Sequence, residues 1–137
     1  MGFIGWTSAF SVGVNEIDNQ HKKFFELINK LYDAKASGYS TIQVKDLLRE
    51  LDDYVKYHFS TEEKLMVTFG YSDYAKHREF HRQFYLKMYE YHKKIDDGNL
   101  DFTEEVAVFM RDWLINHIAQ ADVKIGTHLV AKGIKDL

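Results

Sequence analysis

Two spacings in this chain place metal-binding side chains one helical turn apart. His58 and Glu62 are four residues apart, and so are His77 and His81. Because an α-helix has about 3.6 residues per turn, each pair projects from one helix face toward a common point. Imidazole and carboxylate groups are both common ligands of metal ions in proteins. Either pair alone arises often by chance, so the interpretation depends on what shares those faces.

Two further histidines lie on apolar stripes of their own. His21 continues the stripe of Phe24 and Ile28, and His117 continues the stripe of Met110 and Leu114. Buried imidazoles and carboxylates without partners each cost about a few kcal/mol. A bound metal removes that cost, so it explains the converging polar residues better than core packing alone.

Asp122 follows His117 by five residues. In a regular α-helix that offset separates the two side chains by about 140°. The spacing alone therefore favours a solvated surface acid. If both residues face inward, the helix must bend or widen into a π-type turn, a feature that gathers at functional sites. We predict such an irregularity between them.

Four helical patterns, separated by glycines and free of proline, position these residues. The first is predicted over residues 19–36 with Asp18 or Asn19 as its cap, and the second starts after Ser40 or Thr41 and runs to about 68. The third follows Ser72 or Asp73 and runs to about 96, and the fourth follows Asp101 or Thr103 and reaches 122. An arm (1–18) precedes them and a short cap (123–137) follows. The pattern predicts a single all-α domain, an antiparallel up-down-up-down four-helix bundle.

Composition excludes several other classes of protein. A chain of 137 residues that is 45% hydrophobic is able to bury its own core. The absence of cysteine excludes disulfides, thiolate zinc sites and iron–sulfur clusters. A net charge of −3 without a basic patch argues against nucleic acid as a partner. No apolar run approaches the roughly 20 residues that span a bilayer, and no signal peptide is visible, so a cytoplasmic location is expected.

The ordered set of candidate ligands resembles that of hemerythrin-like domains of the bacteriohemerythrin type. The family pattern is a lone His, HxxxE, HxxxH and HxxxxD in that order, and all seven positions are present here. The matching stretches cover nearly the whole chain: Trp6, Val12 with Gly13, and residues 17–22, 54–63, 77–81 and 111–122.

The resemblance implies a di-iron centre with an oxo or hydroxo bridge. It assigns His77, His81 and His117 to one iron, His21 and His58 to the other, and Glu62 and Asp122 as carboxylates that bridge the two. Counting donor atoms leaves one open coordination position, on the iron with two histidines, where dioxygen would bind. The implied function is reversible dioxygen binding by an oxygen carrier, store or delivery protein, not an enzyme.

An oxygen carrier also needs an apolar pocket that excludes water. Ile118, beside His117, is the leading candidate for its wall. Leu114, Trp113 and Phe25 are placed behind it, although core packing explains Trp113 and Phe25 equally well. Because a ligating histidine usually needs a partner for its other ring nitrogen, Tyr54 and Tyr74 are further candidates as hydrogen-bond donors around the site.

Three alternatives compete with this interpretation. A ferritin-like oxidase would use Glu-x-x-His pairs, and a zinc hydrolase would use HExxH, but neither motif occurs here. The third alternative is an oxygen or redox sensor module cut from a larger protein, with signalling domains as its partners. His92 and His128 match no ligand position, so we predict structural or surface roles for both.

Overall fold

Helices account for most of the fold, which is described by a computed structural model over residues 3–136. Met1 and Gly2 of the predicted arm and Leu137 of the predicted cap lie outside the described residues. The helices are α1 (Asn15–Asp33), α2 (Thr41–Thr68), α3 (Tyr74–Asp96), α4 (Thr103–His117) and α5 (Val123–Ala131). Between α4 and α5 lies a π turn (Ile118–Asp122), and short 3-10 turns cover Ser8–Phe10 and Leu100–Phe102.

The helices form the predicted antiparallel four-helix bundle. Helix α1 packs against α2 and α4, and α3 packs against the same two helices, which closes a four-membered ring around one core. The fourth member is the continuous run of α4, the π turn and α5. Over residues 3–136 the structure contains no strand, and none of its helices is long and apolar enough to cross a membrane.

Helix α1 begins earlier than the sequence predicted. Its N-terminal cap is Val14, whose side chain makes no capping hydrogen bond, so Asp18 and Asn19 are not the cap. The apolar face extends back to Val14 and Ile17, both fully buried, and this burial carries the helix toward the arm. Asp18 instead accepts a hydrogen bond from the Val12 N–H at 2.9 Å, which ties the arm to the helix.

Helix α2 begins where the sequence predicted, after Ser40. The Gln43 N–H donates to the Ser40 hydroxyl oxygen, and the Ser40 N–H donates to the Gln43 side-chain oxygen. This reciprocal capping box satisfies two backbone donors that a helix start otherwise leaves unpaired. The start of α2 is therefore fixed by residues adjacent in sequence.

The region after the π turn, predicted as a short helical or irregular cap, contains the helix α5. Helix α5 buries Ile125 and Leu129 completely, so it extends the bundle core. The arm crosses α5 at Gly126, where a Cβ atom would lie 1.9 Å from the carbonyl oxygen of Val12. Glycine is required there because no other residue allows the two backbones to approach so closely.

Candidate metal centre

Seven polar side chains meet inside the bundle, with contributions from every long helical segment. All are buried, and the most exposed, His117, retains 7% of its accessible surface. They are His21 on α1, His58 and Glu62 on α2, His77 and His81 on α3, His117 at the end of α4, and Asp122 at the end of the π turn. These are the seven residues predicted from the sequence pattern, and the fold brings all of them together.

The irregularity predicted between His117 and Asp122 is confirmed. Residues Ile118–Asp122 form a π turn, in which hydrogen bonds span five residues instead of four. A five-residue offset therefore completes one turn, and both side chains face the bundle interior. The interpretation of Asp122 as a surface acid, which spacing alone favoured, is wrong because the helix widens there.

The two carboxylate oxygens of Glu62 face different histidines. Oε1 lies 3.2 Å from His77 Nε2 and 3.1 Å from His81 Nε2. Oε2 lies 3.4 Å from His21 Nε2 and 3.1 Å from His58 Nε2. The carboxylate therefore lies between a three-histidine set, defined as His77, His81 and His117, and a two-histidine set, defined as His21 and His58.

Asp122 divides between the same two sets. Its Oδ1 lies 3.1 Å from Nε2 of both His77 and His117, and its Oδ2 lies 3.0 Å from His21 Nε2. Each of the two sets, counted with one oxygen from each carboxylate, has its donor atoms within 4.8 Å of one another. The arrangement thus offers two adjacent cation sites that share both carboxylates.

Most of these contacts are short without being hydrogen bonds. Within residues 3–136, no hydrogen-bond partner reaches Nε2 of His21, His58 or His81, Oε2 of Glu62, or either carboxylate oxygen of Asp122. Buried polar atoms rarely stay unpaired. Donors bonded to one octahedral ion at about 2.1 Å would lie about 3 Å from one another, which is close to the spacings observed. The donor set therefore fits a pair of metal ions.

Electrostatics in the cluster also favour cations. Burial by itself lowers the pKa of His21 and His77, but the nearby carboxylates of Asp122 and Glu62 raise both to about 9. Burial favours the neutral form of both acids, yet the surrounding histidines hold the pKa of Glu62 and of Asp122 well below their usual range. Two carboxylates therefore remain ionised in the interior, where protonated histidines or bound cations balance their charge.

The other ring nitrogen of His58 has a buried partner. Its Nδ1 donates to the Gln20 side-chain oxygen at 2.8 Å, which leaves Nε2 free to bind a metal. The Gln20 amide nitrogen in turn donates to Glu16 at 2.9 Å and to Thr61 at 3.2 Å, so the amide orientation is fixed. Gln20 therefore orients a candidate ligand through a chain of hydrogen bonds between α1 and α2.

His81 is oriented in the same way by Glu63, whose carboxylate accepts from Nδ1 at 2.9 Å. Sequence reasoning missed Gln20 and Glu63, although each is adjacent in sequence to a predicted ligand. It proposed Tyr54 instead, but that hydroxyl donates to the Gln20 main-chain oxygen at 2.9 Å and not to a ligand. Tyr74, the other candidate, likewise makes no hydrogen bond to a ligand within the described part of the chain.

Aromatic rings pack directly on the three-histidine set. Phe59 stacks on His81 with centroids 3.7 Å apart, and Trp113 stacks on His117 with centroids 4.3 Å apart. Trp113, which was predicted as part of an oxygen pocket, also packs on Phe84 with centroids 4.6 Å apart, and its role in such a pocket stays a prediction. Its observed position is that of a side chain that holds the His117 ring.

The three other predicted pocket residues are buried. Leu114 is fully buried, and Ile118 and Phe25 are each 2% exposed. Phe25 lies one helical turn after His21 and packs edge-on against the arm residues Trp6 and Phe10, with centroids 5.8 and 5.2 Å away. These buried apolar side chains are within four residues in sequence of the candidate ligands His117 and His21.

The two remaining histidines have structural partners. His92 Nε2 lies 2.7 Å from a carboxylate oxygen of Asp52, which links α3 to α2. His128 Nε2 donates to the carbonyl oxygen of Phe69 at 2.7 Å, which links α5 to the end of α2. The structural roles predicted for both are confirmed.

Comparisons with known proteins agree with this geometry. Residues 12–129 match the family model described as the hemerythrin HHE cation binding domain. The bacteriohemerythrin of Methylococcus capsulatus is 36% identical over 132 residues, which cover 96% of this chain and 100% of the relative. That of Pseudomonas aeruginosa is 33% identical over 139 residues, with 99% and 90% covered. A solved wild-type hemerythrin superimposes with a TM-score of 0.85 at 36% identity, covering 93% of this chain and 98% of that one.

Proposed function

The chain belongs to the hemerythrin family, in which the domain holds a di-iron centre and binds oxygen, and we propose that this chain binds dioxygen reversibly as a carrier, store or delivery protein. The observation that carries the proposal is the division of Glu62 and Asp122, each with one oxygen toward either histidine set. Two carboxylates that each direct one oxygen to either histidine set fit a pair of metal ions and not a single ion.

We assign the seven side chains as ligands of two iron ions joined by an oxo or hydroxo bridge. The three-histidine set would hold one ion, the two-histidine set the other, and Glu62 and Asp122 would bridge them. When bound, the iron pair supplies the two electrons that reversible oxygen binding requires. The histidine-rich donor set and the relatives' names as hemerythrins favour carriage over enzymatic oxidation.

The number of protein donors differs between the two sets. The three-histidine set offers five donor atoms once an oxygen from each carboxylate is added, and the two-histidine set offers four. With one shared bridging group, six-coordinate ions would be complete on the first side and one ligand short on the second. We therefore propose that dioxygen reaches the side of His21 and His58.

The surrounding residues have two tasks in this proposal. Leu114, Ile118 and Phe25 form apolar walls that keep water and protons away from the bound gas, which slows oxidation of the metal. Gln20 and Glu63 fix the rings of His58 and His81 with Nε2 toward the metal. Trp113 contributes by its packing on His117.

An optical experiment tests the proposal. Protein loaded with ferrous iron under anaerobic conditions is expected to be colourless, to gain a visible charge-transfer band in oxygen, and to lose it on deoxygenation. Glu62→Gln should abolish tight binding of the iron pair, because one bridging charge is lost, whereas the exposed Glu104→Gln should behave as wild type. An iron-loaded wild type without any visible band, or a preference for zinc over iron, would contradict the proposal.

A further inference from the structure

An open cavity reaches the three-histidine set from the surface of the protein. Its volume is about 340 Å³, and the rings of His77 and His117 line it. Phe80 and Trp113 provide aromatic walls. A water molecule takes about 30 Å³ of liquid, so the cavity has room for an organic molecule. We call it the α3–α4 pocket.

The two histidines bring unpaired polar atoms to this pocket. Nε2 of each faces the carboxylate of Asp122 at 3.1 Å, so the ring edge that carries Nδ1 is left for the pocket. No residue among 3–136 accepts a hydrogen bond from Nδ1 of either ring, whereas His58 and His81 have Gln20 and Glu63. With a metal on Nε2, each Nδ1 is an N–H donor that requires an acceptor.

The charge of the pocket favours a negative ligand. Lys76 and Lys124 line it. Neither forms an ion pair in the described part of the chain, in which the ion pairs of lysine involve four other lysines. Asp73 is the one acid in the lining, so the side-chain charges sum to +1. Asn116 and Gln120 add amide groups that are able to donate hydrogen bonds.

We propose that the α3–α4 pocket binds a small organic carboxylate with a flat apolar body. Its carboxylate would accept hydrogen bonds from the outer nitrogens of His77 and His117 and would pair with the two lysines. Its body would lie between Phe80 and Trp113. The proposal rests on the proposed metal centre in one respect, since metal on Nε2 is what makes both Nδ1 atoms donors.

Binding there has a consequence for the metal. An anion that accepts the Nδ1 hydrogen makes the imidazole a stronger electron donor to the ion on Nε2. Stronger donation stabilises the ferric state, so the midpoint reduction potential of the iron pair falls when the pocket is filled. The pocket would thus let a metabolite with a carboxylate group regulate the oxidation state of the site.

Calorimetric titration of the iron-loaded protein with benzoate tests the proposal, with benzyl alcohol as the uncharged probe. The double variant Lys76→Gln/Lys124→Gln should weaken benzoate binding on the order of tenfold. The matched control Lys56→Gln/Lys64→Gln removes two exposed lysines of α2 outside the pocket and should bind as wild type. Benzyl alcohol should bind more weakly than benzoate to all three proteins.

A second measurement tests contact with the histidines. The midpoint potential, followed by spectroelectrochemistry, should fall with saturating benzoate in the wild type and in the control. Absence of benzoate binding, equal binding to both double variants, tight binding of benzyl alcohol, or binding without a change in potential would each overturn the proposal. If the same benzoate concentration gave half of the change in the visible band in all three proteins, benzoate would be binding at the iron, which also overturns the proposal.

The two proposals fail in different ways. Loss of the oxygen-dependent visible band with intact benzoate binding would sink the proposed function and leave the pocket as an anion site. A normal band without benzoate binding would sink only the pocket.

Discussion

The outer nitrogens of the candidate ligands are not treated alike. His58 and His81 have protein acceptors, while the pocket leaves His77 and His117 without one. Gln20 is 4% exposed, so its amide is part of the core and not a surface contact. Protein acceptors therefore orient two of the five candidate histidine ligands, and the Nδ1 atom of His21 is buried without a hydrogen-bond partner in the described part of the chain.

Replacing Gln20 tests that role. Gln20→Ala removes the acceptor of the His58 Nδ1 hydrogen and leaves a buried donor unpaired. We expect about 10- to 100-fold weaker metal binding and a loss of about 1–3 kcal/mol in the free energy of unfolding. Chelator competition and urea denaturation measure the two effects. The exposed Gln83→Ala should change neither, and a Gln20→Ala protein with wild-type metal affinity would contradict the assignment.

Individual elements set the register of the site, and the π turn is the clearest case. Five residues fill one turn there, so Asp122 returns to the face of His117 and α5 keeps Ile125 inward. A regular α-helix would need four residues for the same turn. The number of residues between the two ligands is thus matched to the local hydrogen-bond pattern.

A deletion and an insertion in the π turn test whether the number of residues there sets the direction of Asp122. Deletion of the exposed Ala119 leaves four residues per turn, so Asp122 should stay inward and iron binding should survive. Insertion of one alanine after Gln120 should rotate Asp122 and α5 by about 100°, with loss of iron and of stability. Iron content and thermal unfolding provide the measurements. Retention of iron by the insertion variant would show that the turn does not set the register.

Helices α2 and α3 are also joined by a titratable pair far from the ligands. The Asp52 carboxylate, 2.7 Å from His92 Nε2, raises the pKa of His92 above its ordinary value of 6.5. The pair therefore stabilises the fold fully below pH of about 6.5, and this contribution is lost as pH rises through the higher folded pKa. Asp52→Asn should lower the pKa of His92, as followed by NMR, whereas the exposed Asp53→Asn should not. An unchanged His92 titration in Asp52→Asn would refute the pairing.

At the scale of the whole molecule, the N-terminal arm and the start of α1 contact α5 and the segment after it. The arm lies across α5 at Gly126, and the Asn15 N–H donates to the carbonyl oxygen of Lys135 at 2.9 Å. Phe25, one turn from His21, packs on the arm through Trp6. The arm therefore packs on a side chain of α1 that lies one helical turn from a candidate ligand.

A single methyl group tests the closure. Gly126→Ala would place Cβ 1.9 Å from the Val12 carbonyl oxygen, so the arm must move. We expect a loss of about 1–3 kcal/mol in stability from this overpacking, measured by urea denaturation, with faster oxidation of the reduced iron form in air. Gly5→Ala is the matched control, because its Cβ would meet no atom within 4 Å. Equal stability of the two variants would contradict the close approach.

Features that depend on neighbours along the chain could be predicted from the amino-acid sequence. Periodic apolar residues predicted the four helices, and the Ser40 cap predicted the start of α2. The five-residue offset predicted a bend or π-type turn on the condition that His117 and Asp122 both face inward. The ordered ligand pattern also pointed to the seven residues that converge. Local spacing is sufficient for the helices and the cap because it is set by the geometry of a single helix, whereas the seven-ligand set was assigned through the family resemblance.

Tertiary structure alone decided which atoms meet across helices. In the folded protein the oxygens of Glu62 face two different histidine sets, and Gln20 accepts a hydrogen bond from His58. Helix α1 begins at Asn15, earlier than predicted, and a pocket lies beside His117. Contacts of this kind depend on the rotation and separation of neighbouring helices, which the periodicity of one chain segment does not specify.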